Sequence, residues 1–426
     1  MGQVAAHDLM SVYQDAATDN PRLEQAREVL AAVMETQIQA NAALYLPEAH
    51  FSANVNGDSQ SVLLSRDSTG LSGRSNFMVG GYSLTLTQPI LHYDRIIGAQ
   101  QTDSHVAQAG AEYAAAEIAL LLRVAERYFD VLAARENLQF VRLQQESLAR
   151  GLEETLQHEA AGYLAMTDVQ EARAGHDRAA ADTVEAERQL KDAFEGLWEV
   201  TGKHYENLAG LNAGIPLVEP DPSREDAWVN KALAQNFDIL AIERGVEAAR
   251  EEVQRQEAGH LPTLDAIGNH GFSTSGGRFG TADIQDTMIG LALNVPLYQG
   301  GRVNSKVREM EHRYREAQAR LKQEQRVIER ATSRAFLGVT AGISRIKALA
   351  QSLRSNETAV AATVTGFRVG RRTALDVIIA EREQLRVQRD YAKARYDFLL
   401  NTLRLKQTVG TLSPADLAQI NSWLEL

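Results

Sequence analysis

The chain has 426 residues, a formal net charge of −12 and no cysteine. The acidic balance argues against a nucleic-acid-binding surface, and the lack of cysteine excludes disulfides, thiolate metal sites and a cysteine lipid anchor. Arg or Glu interrupts the longest apolar stretches within a turn or two, so no run reaches the length of a membrane-spanning helix.

The first hundred residues predict two helices followed by two strands. Asp8–Thr18 has a short helical pattern, and Asn20-Pro21 begins a second helix that ends before Pro47. Apolar and polar residues then alternate over Phe51–Asn56 and again over Tyr82–Thr87, which is typical of strands with one apolar face. A loop rich in Ser, Gly, Asn and Asp separates the two strands.

A very long helix follows the strands. No proline occurs from about residue 96 to residue 158, and apolar residues step by three and four in the manner of a heptad seam. The seam consists of Ile118, Leu121, Ala125, Tyr128 and Leu132. A helix of about 60 residues would be roughly 90 Å long. The segment 160–163 breaks it, and another helix is predicted from Thr167 to about Thr201.

The second half of the chain repeats the plan of the first. The pattern of Gly, five residues and Asp-Val starts at Gly162 and again 208 residues later at Gly370. We therefore predict a duplicated half-molecule, with a first structural repeat over 1–210 and a second over 211–426. The expected strands lie at about 48–57, 80–90, 261–273 and 287–297, and the expected long helices at about 96–158, 167–201, 303–365 and 373–408.

This plan leaves apolar surface that one copy does not bury. Four strands with one apolar face do not close a barrel alone, whereas several copies together could close one and remove its edges. Apolar and polar alternation is the pattern of a membrane barrel, but a soluble sandwich has it too. A soluble coiled-coil scaffold or adaptor protein is the alternative for the whole chain.

Several segments in chain order resemble the TolC-type outer-membrane efflux and secretion proteins, and the resemblance covers nearly the whole chain in both halves. The segments that carry it are Thr167–Ala174, Gly259–Asp265, Asn294–Ser305, Ala394–Lys406 and Val409–Leu417. Each motif is weak alone, and the combination is specific.

The resemblance implies a mainly α fold with a β-barrel portion. The expected assembly is a homotrimer whose four strands per chain form a twelve-stranded barrel in the outer-membrane lipid, continued by an α-helical tunnel in the periplasm. Its expected partners are a periplasmic adaptor protein and an inner-membrane pump or ABC transporter. Such a duct is not an enzyme and needs no cofactor. The resemblance also implies a signal sequence, which is absent from this chain, and a C-terminal tail that is absent or removed.

The resemblance further implies a latch at the helix breaks. In that family a Tyr and an Arg of the second-half turn bind a Thr-Asp pair of the first half and hold the inner helices shut. The Thr-Asp pair corresponds to Thr167 and Asp168, and the Arg corresponds to Arg372. The latch Tyr is replaced by Phe367, which has no hydroxyl group to donate a hydrogen bond.

The same turn is expected to carry a constriction ring. The family has an Asp pair spaced by three that favours cations; here the first Asp corresponds to Asp376, and Ile379 replaces the second. We expect weaker cation selectivity and a hydrophobic constriction that resists wetting. Glu383 lies seven residues after Asp376, on roughly the same helix face, as a further carboxylate.

Small residues at both turns suggest a docking site for the adaptor. Ala161, Gly162, Val369 and Gly370 would let another helical hairpin approach closely. The alternative interpretation of both turns is a capped helical hairpin without further function, in which Thr167 or Thr373 caps the following helix or lies in its first turn. The sequence has no H-E-x-x-H pair, phosphate-binding loop or nucleophile elbow.

Overall fold

A computed structural model of the chain describes residues 6–63, 72–212, 214–277, 280–369 and 371–425. The chain forms two compact units, each assembled from both halves of the sequence. Unit 1 comprises 1–28, 111–240 and 323–426, and unit 2 comprises 29–110 and 241–322. The four boundaries between these segments lie within helices rather than in loops.

Most described residues are helical. The helices are α1 (Leu9–Asp19), α2 (Pro21–Tyr45), α3 (Tyr93–Ala160), α4 (Met166–Thr201), α5 (Glu225–Gln235), α6 (Phe237–Glu257), α7 (Arg302–Arg368), α8 (Ala374–Thr408) and α9 (Pro414–Asn421). The strands are β1 (Glu48–Val62), β2 (Gly73–Leu91), β3 (Gly210–Leu211), β4 (Thr263–Ser275), β5 (Ala282–Asn294) and β6 (Leu424–Glu425). None of the helices in the described ranges is both long and apolar enough to cross a membrane.

Unit 2 is built around a four-stranded antiparallel sheet with the order β1-β2-β4-β5. The strands extend further than the sequence pattern predicts, since β1 continues to Val62 and β2 begins at Gly73. Continuous backbone pairing, from Glu48 with Thr87 to Val62 with Gly73, carries both strands through polar positions that break the alternation. At the other end of the sheet, the Nε2 atom of His92 lies 2.9 Å from the Oδ1 atom of Asp265 on β4.

The core of unit 1 forms where the heptad pattern predicts it. Leu121, Ala125, Tyr128 and Leu132 of α3 are buried, and Ile118 is half-buried. The hydroxyl group of Tyr128 donates to the main-chain carbonyl of Ala209 at 2.8 Å, which satisfies a polar group inside an apolar core. Burial raises the pKa of this hydroxyl group.

In each half of the chain, a buried asparagine links the start of one helix to the end of another in the same way. Asn20 precedes α2, and its side-chain amide donates to the carbonyl of Val200 at 2.8 Å. Asn236 precedes α6 and donates to the carbonyl of Thr408 at 2.9 Å. The Oδ1 atom of each accepts two N–H groups from the helix that follows, so each caps one helix and ties it to the end of another.

Glycines with positive φ end the helices to which these asparagines bind. Gly202 after α4 has φ +68°, and Gly410 after α8 has φ +75°. This is the left-handed region that glycine enters without steric cost. The short strands β3 and β6, which sequence patterns did not indicate, pair with each other in the same unit.

Candidate functional site

The predicted site residues lie in two helix-to-helix turns of unit 1 and in the helix ends beside them. The first joins α3 to α4, where Gly162 has φ +78° and the N–H of Tyr163 donates to the carbonyl of His158 at 2.9 Å. The second joins α7 to α8, where the N–H of Arg371 donates to the carbonyl of Gly366 at 2.8 Å. Both bonds satisfy carbonyls that the end of a helix leaves free.

The helix after the second turn begins with a capping box. The hydroxyl oxygen of Thr373 accepts the N–H of Asp376 at 3.2 Å, and the Asp376 carboxylate accepts the N–H of Thr373 at 2.9 Å. It also accepts the Thr373 hydroxyl group at 3.0 Å. These bonds from Thr373, with the nearby positive charge of Arg372, hold the pKa of Asp376 below its ordinary value.

The first turn has a weaker version of this cap, and of the two positions predicted for Thr167, the cap or the first turn of α4, the structure shows the first turn. The N-cap residue is Ala165, whose N–H donates to the Asp168 carboxylate at 2.9 Å. Alanine offers no side-chain oxygen for the return bond. Thr167 lies inside the first turn of α4 and is exposed, because the helix begins at Met166.

The four latch residues lie at these turns without forming a closed latch. Arg372 packs beside Gly366, where a Cβ atom would lie 2.9 Å from the Cγ atom of Arg372. Phe367 is exposed at the end of α7. Among the described residues, no hydrogen bond or ion pair joins Arg372 to Thr167 or Asp168. The latch thus stays a prediction.

The three constriction residues follow one another along α8. Ile379 exposes 58% of its surface, so this apolar side chain is free to contact water or another chain. Glu383 forms a two-point ion pair with Arg386, in which the Nε atom of Arg386 lies 2.9 Å from one carboxylate oxygen. This bond lowers the pKa of Glu383 and offsets its negative charge.

Close contacts between α3 and α8 bring segments beside the two turns together. A Cβ atom at Gly151 would lie 2.4 Å from the Cδ1 atom of Ile378, so the glycine allows α8 to approach. The hydroxyl group of Ser147 donates to the Glu381 carboxylate at 2.6 Å. Sequence reasoning missed these contacts, because some glycines inside a long helix allow a close approach, as Gly151 does, and others, such as Gly110, do not.

The predicted docking residues lie on exposed parts of the turns. Ala161, Gly162 and Val369 are exposed, while Gly370 lies outside the described residues. Around them Tyr163, Met166 and Leu375 expose apolar surface as well. Across the described ranges, no group of three or more His, Asp or Glu side chains is arranged to hold a metal ion.

Comparison with known proteins places this architecture in a family. The family model described as "Outer membrane efflux protein" matches residues 12–203 and 228–411. The chain is similar to the outer membrane protein TolC of Vibrio cholerae, with 33% identity over 99% of this chain and 95% of the relative. It is also similar to the proteases secretion protein PrtF of Dickeya chrysanthemi, with 29% identity over 80% of this chain and 75% of the relative.

A solved structure has the same fold. The CmeC outer membrane channel of Campylobacter jejuni superimposes with a TM-score of 0.80, covering 98% of this chain and 90% of CmeC at 17% identity. Since the family model matches most of the chain in both halves, the chain belongs to the outer membrane efflux protein family.

Proposed function

We propose that this protein is the outer-membrane exit duct of an efflux pump or a protein secretion system. Three copies form the duct, which passively conducts cargo delivered by an inner-membrane pump or transporter through a periplasmic adaptor. The alternative of a soluble coiled-coil scaffold has no support from the family or the fold.

The observation that carries this proposal is the apolar surface of the two outermost strands. On β5, Ile289 and Leu291 expose 88% and 70% of their surface. On β1, Phe51 and Val55 are exposed to a similar extent. Apolar residues at alternate positions of a strand point to one face, which suits contact with lipid hydrocarbon.

The order of the strands supports closure by other copies of the chain. Neither β1 nor β5 has a second neighbour among the described residues, so each presents a free edge. All neighbouring strands are antiparallel, so β5 of one copy can pair antiparallel with β1 of the next. Three copies would then give twelve strands without a free edge.

We place the gate at the two helix turns of unit 1. The contacts of Gly151 with Ile378 and of Ser147 with Glu381 support a shared closing surface of α3 and α8.

In a trimer, Asp376 would supply three carboxylates and Ile379 three apolar side chains. A negative ring beside an apolar constriction would favour cations and resist wetting. The latch of Arg372 with Thr167 and Asp168, and the adaptor contact at Ala161, Gly162, Val369 and Gly370, belong to the same proposal.

The cargo class follows from a deletion strain. The family description names efflux and the name of PrtF names protease secretion, so both are candidates for this chain. A deletion strain that becomes sensitive to drugs would assign efflux. A deletion strain that retains a protease or toxin inside the cell would assign secretion. A deletion strain with unchanged drug resistance and unchanged protein secretion would contradict a role as an exit duct in that strain.

Membrane insertion is tested with two neighbouring strand variants. Leu291→Arg places a charge on the proposed lipid face, where it is expected to cost about 2–4 kcal/mol near the bilayer midplane. Ala292→Arg, one residue later on the opposite face, is the matched control. We expect wild type and Ala292→Arg to run as heat-sensitive trimers that conduct in planar bilayers, and Leu291→Arg to assemble poorly. Equal assembly of both variants would contradict the lipid-facing assignment.

A further inference from the structure

Unit 1 contains a cavity of about 240 Å³ that belongs to neither the turns nor the sheet. Its walls come from the segment before α5, from α5 itself, from α7 and α8, and from the C-terminal region around α9. The lining on α8 begins at Phe398, 24 residues after the start of that helix. An apolar cavity of about 150 Å³ already admits benzene, so this one has room for a larger ring system.

The walls of the cavity are mainly apolar and include three aromatic side chains. Trp228, Phe398 and Trp423 line the cavity together with the buried leucines Leu399 and Leu403. Flat aromatic walls bind flat apolar molecules well, because ring contacts add to the energy of apolar burial.

Four polar side chains of the cavity lining already have partners. The indole N–H of Trp228 donates to the carbonyl of Pro222 at 2.7 Å, and the hydroxyl group of Thr402 donates to the carbonyl of Phe398 at 3.0 Å. The ammonium group of Lys406 pairs with the Asp416 carboxylate. These four groups thus contribute little free hydrogen-bonding capacity to the apolar interior.

The mouth of the cavity is negatively charged. Glu219 and Asp221 are exposed and line the same cavity. In the part of the chain that the structure describes, neither carboxylate has an ion pair or a side-chain hydrogen bond. Lys406, a cation of the lining, has its charge matched by Asp416. A ligand in this cavity thus meets an apolar interior and two free negative charges at the entrance.

We propose that this cavity binds a flat aromatic organic cation. The ring contacts Trp228, Phe398 and Trp423, and the positive group lies near Glu219 and Asp221. Tryptophan faces also attract cations directly. This site is additional to the proposed duct and does not depend on it, since none of its residues belongs to the turns or to the sheet.

The test uses isothermal titration calorimetry on the full chain, purified in detergent as it assembles. The probes are 1-naphthylmethylammonium and its neutral counterpart, 1-naphthalenemethanol. We expect the cation to bind about threefold or more tightly than the alcohol, the gain of an exposed charge contact. Glu219→Gln with Asp221→Asn should remove that difference. Glu225→Gln with Asp226→Asn removes the same charge at the start of α5 and should leave it unchanged.

Two further variants place the probe inside the cavity. Thr402→Phe fills the interior and should abolish the binding of both probes above the detergent background. Trp198→Phe leaves Trp228 and Trp423 as the only tryptophans. Their fluorescence emission should change on titration, with a midpoint at the same probe concentration as the calorimetric titration. Equal binding to wild type and Thr402→Phe would overturn the proposal, as would absence of binding to wild type. Equal affinity for cation and alcohol in wild type would overturn the proposed ligand class.

Discussion

The side-chain amide of Asn236 donates to the carbonyl of Thr408 at 2.9 Å, and both residues are buried. Asn236 also caps α6 through two accepted N–H bonds. Asn236→Ala removes all three bonds and leaves a buried carbonyl unpaired, so we expect a loss of about 2–3 kcal/mol in unfolding free energy. Chemical denaturation in detergent measures this loss.

Two other variants separate the two roles of that amide. Asn236→Asp keeps the capping oxygen but loses the donor, so its cost reports on the bond to Thr408. Among the described residues, Asn356 bonds within its own helix, to the carbonyl and the hydroxyl group of Ser352. Asn356→Ala should therefore change stability by less than about 0.5 kcal/mol. Equal losses for Asn236→Ala and Asn356→Ala would contradict the role of the buried bond.

The two glycines that end α4 and α8 should respond unequally to alanine. A Cβ atom at Gly410 would lie 2.6 Å from the main-chain oxygen of Gln235, which cannot move alone. At Gly202 the nearest atom is the side-chain oxygen of Asp19 at 2.5 Å, which can rotate away. Both substitutions strain the positive φ, so we expect losses above about 1 kcal/mol, with Gly410→Ala the larger.

Gly110→Ala is the control for these variants. Gly110 lies in α3 with nothing near its missing Cβ atom, so alanine there should stabilise the helix by up to about 1 kcal/mol. Thermal unfolding of the three variants gives the comparison. A larger loss for Gly202→Ala than for Gly410→Ala would show that the backbone contact at Gln235 is not the limiting one.

The contact between Gly151 and Ile378 predicts a variant with a leaking entrance. Gly151→Val forces α8 away from α3, so we expect a higher closed-state conductance in planar bilayers. Ile378→Ala removes the colliding side chain and should restore much of the wild-type conductance in the double variant. A double variant as conductive as Gly151→Val alone would show that this contact does not hold the entrance closed.

Asp376 is expected to set the cation selectivity of the channel. Asp376→Asn should lower the permeability ratio of cations to anions and weaken block by divalent and trivalent cations. Its lowered pKa keeps the carboxylate charged as the pH falls through the ordinary value of 3.8. Selectivity should thus persist at that pH and disappear only below it. Reversal potentials across a pH series measure this, and unchanged selectivity in Asp376→Asn would exclude Asp376 from the constriction.

Arg372 is expected to restrain the second turn. Arg372→Ser removes the guanidinium group that packs beside Gly366 and should raise the single-channel conductance. Arg371→Ser, at the neighbouring position, is the matched control for the loss of one positive charge. If both variants raised the conductance equally, net charge rather than a specific restraint would explain the effect.

The sequence predicted the features that depend on repeating patterns. The heptad seam through Tyr128 and Leu132 lies in the core, because a long helix has one apolar stripe to bury. Strand alternation located the sheet but not its ends, since β1 and β2 pair beyond the alternating residues. Pairing energy along a backbone leaves no mark in side-chain periodicity.

Motif matching located individual residues near the two turns, but it did not predict the contacts that the structure shows there. Matching of motifs found Asp168 and Asp376, which both accept an N–H at the start of their helices. It did not show that Ala165 occupies the capping position of α4. Nor did it find Glu381 with Ser147, since pairs distant in sequence leave no local pattern.

The twin asparagines have a consequence for chain length. Asn236 follows Asn20 by 216 positions, whereas Gly410 follows Gly202 by only 208, yet both halves close with the same bond. The segments that contain the strand hairpins differ in length without disturbing this closure. A hairpin can thus be lengthened or shortened without changing the bonds that Asn20 and Asn236 make between helices. The hairpins are therefore the natural place for inserted tags and for differences in length between relatives.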